Sequence, residues 1–235
     1  LAVGNLMSSL DLPGSGKDRS VALYGNNIFV GMLDDPPNKQ FYSLLMRETG
    51  PMTVRGSLAM SGSVQGISLH DGYAYAATSY NPGELQVVDI FDPAYIVFAP
   101  GVGVDVTDVQ DGNAIATFGT SALLGRLKGL PIDELTLFSI ADAPVPSPPP
   151  GPWTLEIGGD VNAIVSTFGS RYAFVGGSSD ASQLLVLDMI KFTLSQAPVL
   201  KTFDTQATIR GLFYDWQKDR LYGVSANSLF VFAPE

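Results

Sequence analysis

The 235-residue chain is 46% hydrophobic and only 15% charged, with no cysteine and a formal net charge of −10. That balance supplies a filled core and excludes intrinsic disorder, a disulfide framework, a thiolate metal centre and a thiolate-held iron–sulfur cluster. A strongly acidic surface disfavours nucleic acid, whose phosphates call for Lys and Arg, and every apolar run falls far short of the ~18 residues of a membrane-spanning helix.

Taken in chain order, residues 5–12 alternate apolar and polar like a strand. A two-strand unit then recurs five times. Residues 26–30 pair with 40–46, 71–76 with 83–90, 111–116 with 133–140, 171–175 with 183–189, and 219–223 with 228–232. A strand-and-turn repeat of this size denotes a propeller or a solenoid. Aligned on Phe29, Tyr75, Ile115, Phe174 and Tyr222, the steps are 46, 40, 59 and 48 residues, and a wrap-around step from the last to the first would be 42. Such a remainder is what a closed ring leaves.

Each unit also has flanking strands. The preceding ones are expected at 64–69, 104–109, 161–165 and 209–213, and the following ones at 54–60, 96–99, 153–157 and 199–203. The fifth unit lacks a following strand, and residues 5–12 are expected to supply it. The fold class is therefore all-β, a five-bladed β-propeller of four-stranded antiparallel blades, the last closed by the N-terminal strand. It forms one domain over 1–235, with blades at 18–62, 63–103, 104–159, 160–206, and 207–235 plus 1–17. Two segments explain the long third step. Leu123, Leu124, Leu127 and Leu130 lie at helical spacing and predict a short amphipathic helix over 121–130, and the proline-rich residues 144–152 predict a stiff connector.

The segment Leu85-Gln86-Val87-Val88-Asp89, preceded by Gly72-Tyr73-Ala74-Tyr75, resembles the LVIVD repeat of bacterial and archaeal surface proteins. Leu184-Leu185-Val186-Leu187-Asp188 is similar. Ser139 stands at the Asp position of the third copy, and Leu45 and Ala233 remove the polar group from the first and fifth. The resemblance implies a propeller and an exported or cell-surface location, and it carries over no catalytic residue.

Candidate chemistry gathers where the inner strands begin. Arg19, Gln65, Asp105, Asn162 and Arg210 are polar residues at otherwise small or apolar sites, and the fold would set them around the mouth of the central channel as ligand-binding residues. A wet channel mouth accounts for polar residues as well. Ring closure would bring Arg19 beside Arg210, two cations able to hold a carboxylate. Asp34, Asp35 and Asp180 form no calcium-loop pattern, so neither metal nor cofactor is expected. Asp89 and Asp188 are expected to hydrogen-bond the turns that follow them.

His70 is the sole histidine, in a tight turn, and no serine sits in a G-x-S-x-G elbow. The leading expectation is an exported, non-enzymatic binding or display module, on a cell surface or at the head of a larger surface assembly. Its partners would be a protein or glycan at the loop-rich face, or copies of itself. The alternative is a carbohydrate hydrolase using two carboxylates at the channel mouth, with Asp105, Asp108 and Glu156 as candidates. Starting at Leu1 rather than Met, the chain reads as a processed product or a fragment.

Overall fold

The computed structural model describes residues 8–13, 18–33, 38–47, 50–100, 103–106, 110–129, 133–142, 146, 153–167, 169, 171–194 and 196–233. The first blade holds β1 (Asp18–Tyr24), β2 (Asn27–Met32), β3 (Phe41–Leu45) and β4 (Thr53–Leu58). The second holds β5 (Val64–His70), β6 (Tyr73–Thr78), β7 (Leu85–Asp89) and β8 (Val97–Phe98). The third has β9 (Gly112–Phe118), β10 (Ser121–Arg126), β11 (Leu135–Ser139) and β12 (Thr154–Leu155). The fourth has β13 (Val161–Ser166), β14 (Tyr172–Gly177), β15 (Leu184–Asp188) and β16 (Val199–Phe203), with a one-turn helix α1 (Met189–Thr193) after β15. The fifth has β17 (Gly211–Asp215), β18 (Arg220–Val224) and β19 (Leu229–Phe232). Within every sheet, strands follow sequence order and run antiparallel. The chain is thus an all-β propeller of five blades.

Small residues let the blades approach. A Cβ on Gly125 of β10 would lie 2.2 Å from Val161 Cγ1 of the next blade, and one on Gly176 of β14 would lie 2.4 Å from Ile209 Cγ2. Between the third and fourth blades, Leu123, Leu135 and Leu137 pack against Ala173, Val175, Leu185 and Leu187 in one continuous core. Tyr75, Leu85 and Val87 meet Ala122, Leu124 and Phe138 in the same way between the second and third. At ~25 cal/mol per Å² of apolar area, these sheet-to-sheet faces are the main source of stability.

The third blade departs from the sequence reading. Of the expected inner strand at 104–109, residues 107–109 lie outside those described and 104–106 form no strand; Val104 makes a single bridge to Leu85, and β9 supplies the inner strand instead. Of the predicted helix over 121–130, residues 121–126 are β10, whose Leu123 and Leu124 point into the two neighbouring interfaces, and Leu130 lies outside the described residues. An apolar run buried on both faces has no period-2 signature and imitates a buried helix. With Leu123 in register, the equivalent positions Phe29, Tyr75, Leu123, Phe174 and Tyr222 are 46, 48, 51 and 48 residues apart, so the long third step disappears. Of the proline-rich connector, only Pro146 is described, and it is buried.

The N-terminal strand is also corrected. Residues 8–12 form no strand beside β19, and residues 5–7 lie outside those described. Leu10 and Leu12 pack on Val30, Met32, Tyr42 and Leu44 of the first blade, and Ser8 Oγ accepts a hydrogen bond from Met52 N at 3.0 Å. Among the described residues the fifth sheet has three strands. The inner strands pack successively, β1 beside β5, then β9, β13 and β17, whereas β17 and β1 form no comparable interface.

Candidate functional site

The inner strands share one irregularity. Pairing of β1 with β2 skips Arg19, that of β5 with β6 skips Gln65, that of β13 with β14 skips Asn162, and that of β9 with β10 skips Asn113. Arg210 sits at the matching place before β17, where its amide donates to Val224 O at 2.8 Å. Arg19, Gln65, Asn113 and Asn162 are each the extra residue of a bulge, which bends the strand and turns one side chain out of the ladder. The structure therefore gives Arg19, Gln65, Asn162 and Arg210 equivalent positions. It does not give one to Asp105, which lies exposed on the connector between β8 and β9 because the third inner strand begins later. Asn113 takes that role.

Two of these side chains are committed to joining blades. Asn113 Nδ2 donates to Val161 O at 2.8 Å and to Asn162 Oδ1 at 3.2 Å, and Asn162 Nδ2 donates to Ile209 O at 3.1 Å. A planar amide at the bulge reaches across to the backbone just before the next bulge. Gln65 is half-buried, while Arg19 and Arg210 are exposed. With β1 and β17 not packed together, the two arginines stand on the first and last inner strands of the arc.

A second repeated device sits before the third strand of the first four blades. Gln40, Glu84, Glu134 and Gln183 are all buried. Each accepts from backbone amides on the segment leading into the following blade: Gln40 Oε1 from Met60 N at 3.0 Å, Glu84 Oε2 from Val106 N at 3.0 Å, Glu134 Oε2 from Ile157 N at 2.9 Å, and Gln183 Oε1 from Thr205 N at 2.7 Å. This staple satisfies amides that the end of the fourth strand leaves open. The sequence signal was present, a Gln or Glu directly before each apolar third strand, with Ser228 replacing it in the fifth blade.

Glu156 is exposed, and its carboxyl is pushed above the usual range, first by desolvation and then by its hydrogen bond to and charge repulsion from Glu134. Glu134 spends one oxygen on Ile157 N and Gly158 N. Asp133 accepts from Thr154 Oγ1 at 2.5 Å, and Arg126 donates to Asp133 O. These acids hold the end of the third blade together. Asp108 lies outside the described residues. Among the described residues no cluster of His, Asp or Glu has metal-binding geometry.

The motif aspartates do what their position implies. Asp89 Oδ1 accepts from Phe91 N at 3.0 Å, and Asp188 Oδ1 caps α1 through Ile190 N at 3.0 Å and Lys191 N at 3.2 Å. His70 ends β5, 3.3 Å from Asp71 in a turn where Asp71 and Gly72 adopt φ of 46° and 79°.

A cleft of about 580 Å³ opens between the fourth and fifth blades. Phe174, Val186 and Phe203 form one wall and Tyr214, Leu221 and Phe232 the other, with Arg171, Lys201 and Asp219 at the rim. Arg171 lies 5.2 Å over the Tyr172 ring and 3.9 Å from Asp188 Oδ2. Tyr214 donates to Asp219 Oδ1 at 2.6 Å, which pushes the phenol up to about 12. The sequence reading missed this cleft, since it depends on side-chain size across two blades.

Residues 61–102 match the LVIVD repeat model, so the second blade carries that repeat. No curated protein matches the chain. A solved protein of unknown function from Desulfotomaculum acetoxidans DSM 771 superposes with a TM-score of 0.72 at 14% identity, over 95% of this chain and 67% of that one. A chain in the crystal structure of a mitotic checkpoint complex superposes with a TM-score of 0.70 at 13% identity, over 96% of this chain and 65% of that one. The chain thus spans about two thirds of the length of these solved chains. At such identities the likeness concerns the fold.

Proposed function

Starting from a β-propeller that carries the LVIVD repeat, we propose that this protein is an exported, non-catalytic binding module displayed at a cell surface, and that the cleft between its fourth and fifth blades takes the ligand. The cleft carries the reading. It combines an aromatic and aliphatic lining with two cations at the rim, an arrangement suited to a flat apolar body bearing an anionic group. The polar ring at the axis is the lesser candidate, because Asn113 and Asn162 already bond the neighbouring blades. Arg19 and Arg210 remain proposed contacts for an acidic group there, and a protein or glycan could reach them from the loop-rich face. The hydrolase reading gains no support from Glu134 and Glu156, whose carboxyls serve the backbone and each other.

Titration with 2-naphthoate and with neutral 2-naphthamide, followed by NMR, tests the cleft. Naphthoate should shift the ring signals of Phe203 and Tyr214 and bind roughly tenfold tighter than the amide, a charge-assisted contact being worth about 1.5–3 kcal/mol. Val186→Trp should fill the cleft and abolish binding with the fold intact. Unaltered binding by that variant, or no binding of either probe, would remove the cleft from the reading. Surface biotinylation of intact source cells checks export separately.

A further inference from the structure

The outer flank of the fifth blade is exposed, and that of the first is covered by Leu10 and Leu12 only over β2 and β3. In the second blade Tyr75, Leu85 and Val87 face the next blade, and in the third Leu123, Leu135 and Leu137 do so; all are at most 1% exposed. The pairings of β18 place Tyr222, Leu229 and Val231 of the fifth blade at the same repeat positions. There Leu229 is 64% and Val231 56% exposed, and Phe213 of β17, its ring 6.3 Å from that of Tyr222, is 64% exposed. On the other flank Val21 and Leu23 of β1 are 65% and 63% exposed, whereas their counterparts Ile67 and Leu69 are packed against the first blade. A row of large apolar side chains at positions otherwise buried is a surface built for contact.

We propose that the five blades are an arc of a larger propeller, and that the flank formed by Phe213, Tyr222, Leu229 and Val231 seats a further four-stranded blade of the same repeat. Continuity with the four existing interfaces names the occupant. In each, the face with the bulky third-strand residues meets a second strand of small or aliphatic ones, as Ala122 and Leu124 do, or Ala173 and Val175. A seated blade would present that pattern to Leu229 and Val231. The first blade cannot serve directly, because Leu10 and Leu12 already cover its outward face over β2 and β3 and β1 does not pack on β17. The superposed solved chains also extend beyond the match by about a third of their length, which is space for more than one repeat.

The test appends a duplicate of residues 160–208, one complete repeat, after Ala233, and compares it with the 235-residue chain and with an extension of equal length and shuffled order. The in-phase repeat should raise Tm by ~5 °C or more, slow amide exchange in β19 at least tenfold, and quench the fluorescence of bound anilinonaphthalene sulfonate. Leu229→Lys with Val231→Glu, at exposed positions that leave the circular dichroism unchanged, should cancel these gains. Equal effects from the shuffled extension would overturn the proposal. So would a discrete dimer of the 235-residue chain that the double substitution dissociates, since a second copy would then own the flank.

Discussion

The interface between the third and fourth blades and the one between the fourth and fifth use the same repeat positions, yet one is solid and the other holds a cleft. On the solid side α1 drops Met189 and Phe192 onto the core, and Trp153 and Leu155 close its outer end. The fifth blade has Ala233 where Asp188 would cap such a turn, and its described residues include no fourth strand. Backbone repetition sets where blades stand. The side chains of the outer third decide whether the space between them is filled.

Truncation should separate the two interfaces most clearly. Leu137→Ala, in the filled one, is expected to cost about 2–5 kcal/mol in a urea titration, the range for a buried leucine whose surroundings cannot collapse. Val186→Ala, its counterpart beside the cleft, should cost about 1 kcal/mol, because one side of Val186 already lacks partner atoms. Equal losses per methylene removed would mean that the cleft is closed in solution.

A smaller effect tests the staple. Glu134→Ala should cost about 1–3 kcal/mol by leaving buried amides without an acceptor. Glu134→Gln should cost less than half of that, since Gln40 and Gln183 perform the same task uncharged. Glu134→Gln should also lower the Glu156 carboxyl part of the way toward its ordinary range by removing the repulsion, while desolvation, the larger cause, stays. Carbon-detected NMR titration of Glu156 reads this directly.

Much of the architecture was legible because strand periodicity, turn residues and repeat spacing are local. The strand-entry positions of Arg19, Gln65, Asn162 and Arg210 were visible as a polar residue between small or branched ones. Asp105 was misassigned because Leu123 and Leu124, buried on opposite faces of one strand, broke the period-2 pattern and displaced the third blade's register. The partner of the N-terminal segment was illegible for a different reason: the alternation of residues 5–12 specifies an amphipathic segment but not which flank it covers, and of its described residues Leu10 and Leu12 pack on the first blade. The cleft was invisible, being the difference between two sets of side-chain volumes 11 to 58 residues apart in the chain.

The smallest predicted effect at neutral pH belongs to Tyr75, which is fully buried in the filled interface between the second and third blades with no hydrogen-bond partner for its hydroxyl. Tyr75→Phe should be neutral or stabilising by up to ~1 kcal/mol, because it removes a desolvated donor without breaking a bond. Its consequence grows in alkali. Burial, with help from the charges of Tyr73 and Asp71, pushes the phenol up to about 12 from its ordinary value of 10.0. The folded protein therefore keeps Tyr75 neutral while the unfolded chain ionises, so this contribution to stability is complete below pH 10 and is lost as the pH rises toward about 12. The Tyr75→Phe variant should lose less stability than the parent between those limits, the remaining decline reporting Tyr214, whose phenol is raised to the same value by its bond to Asp219. Urea titrations at pH 8 and pH 11 decide it: parallel losses in the two proteins would show that Tyr75 is hydrated and the interface around it less solid than its packing indicates.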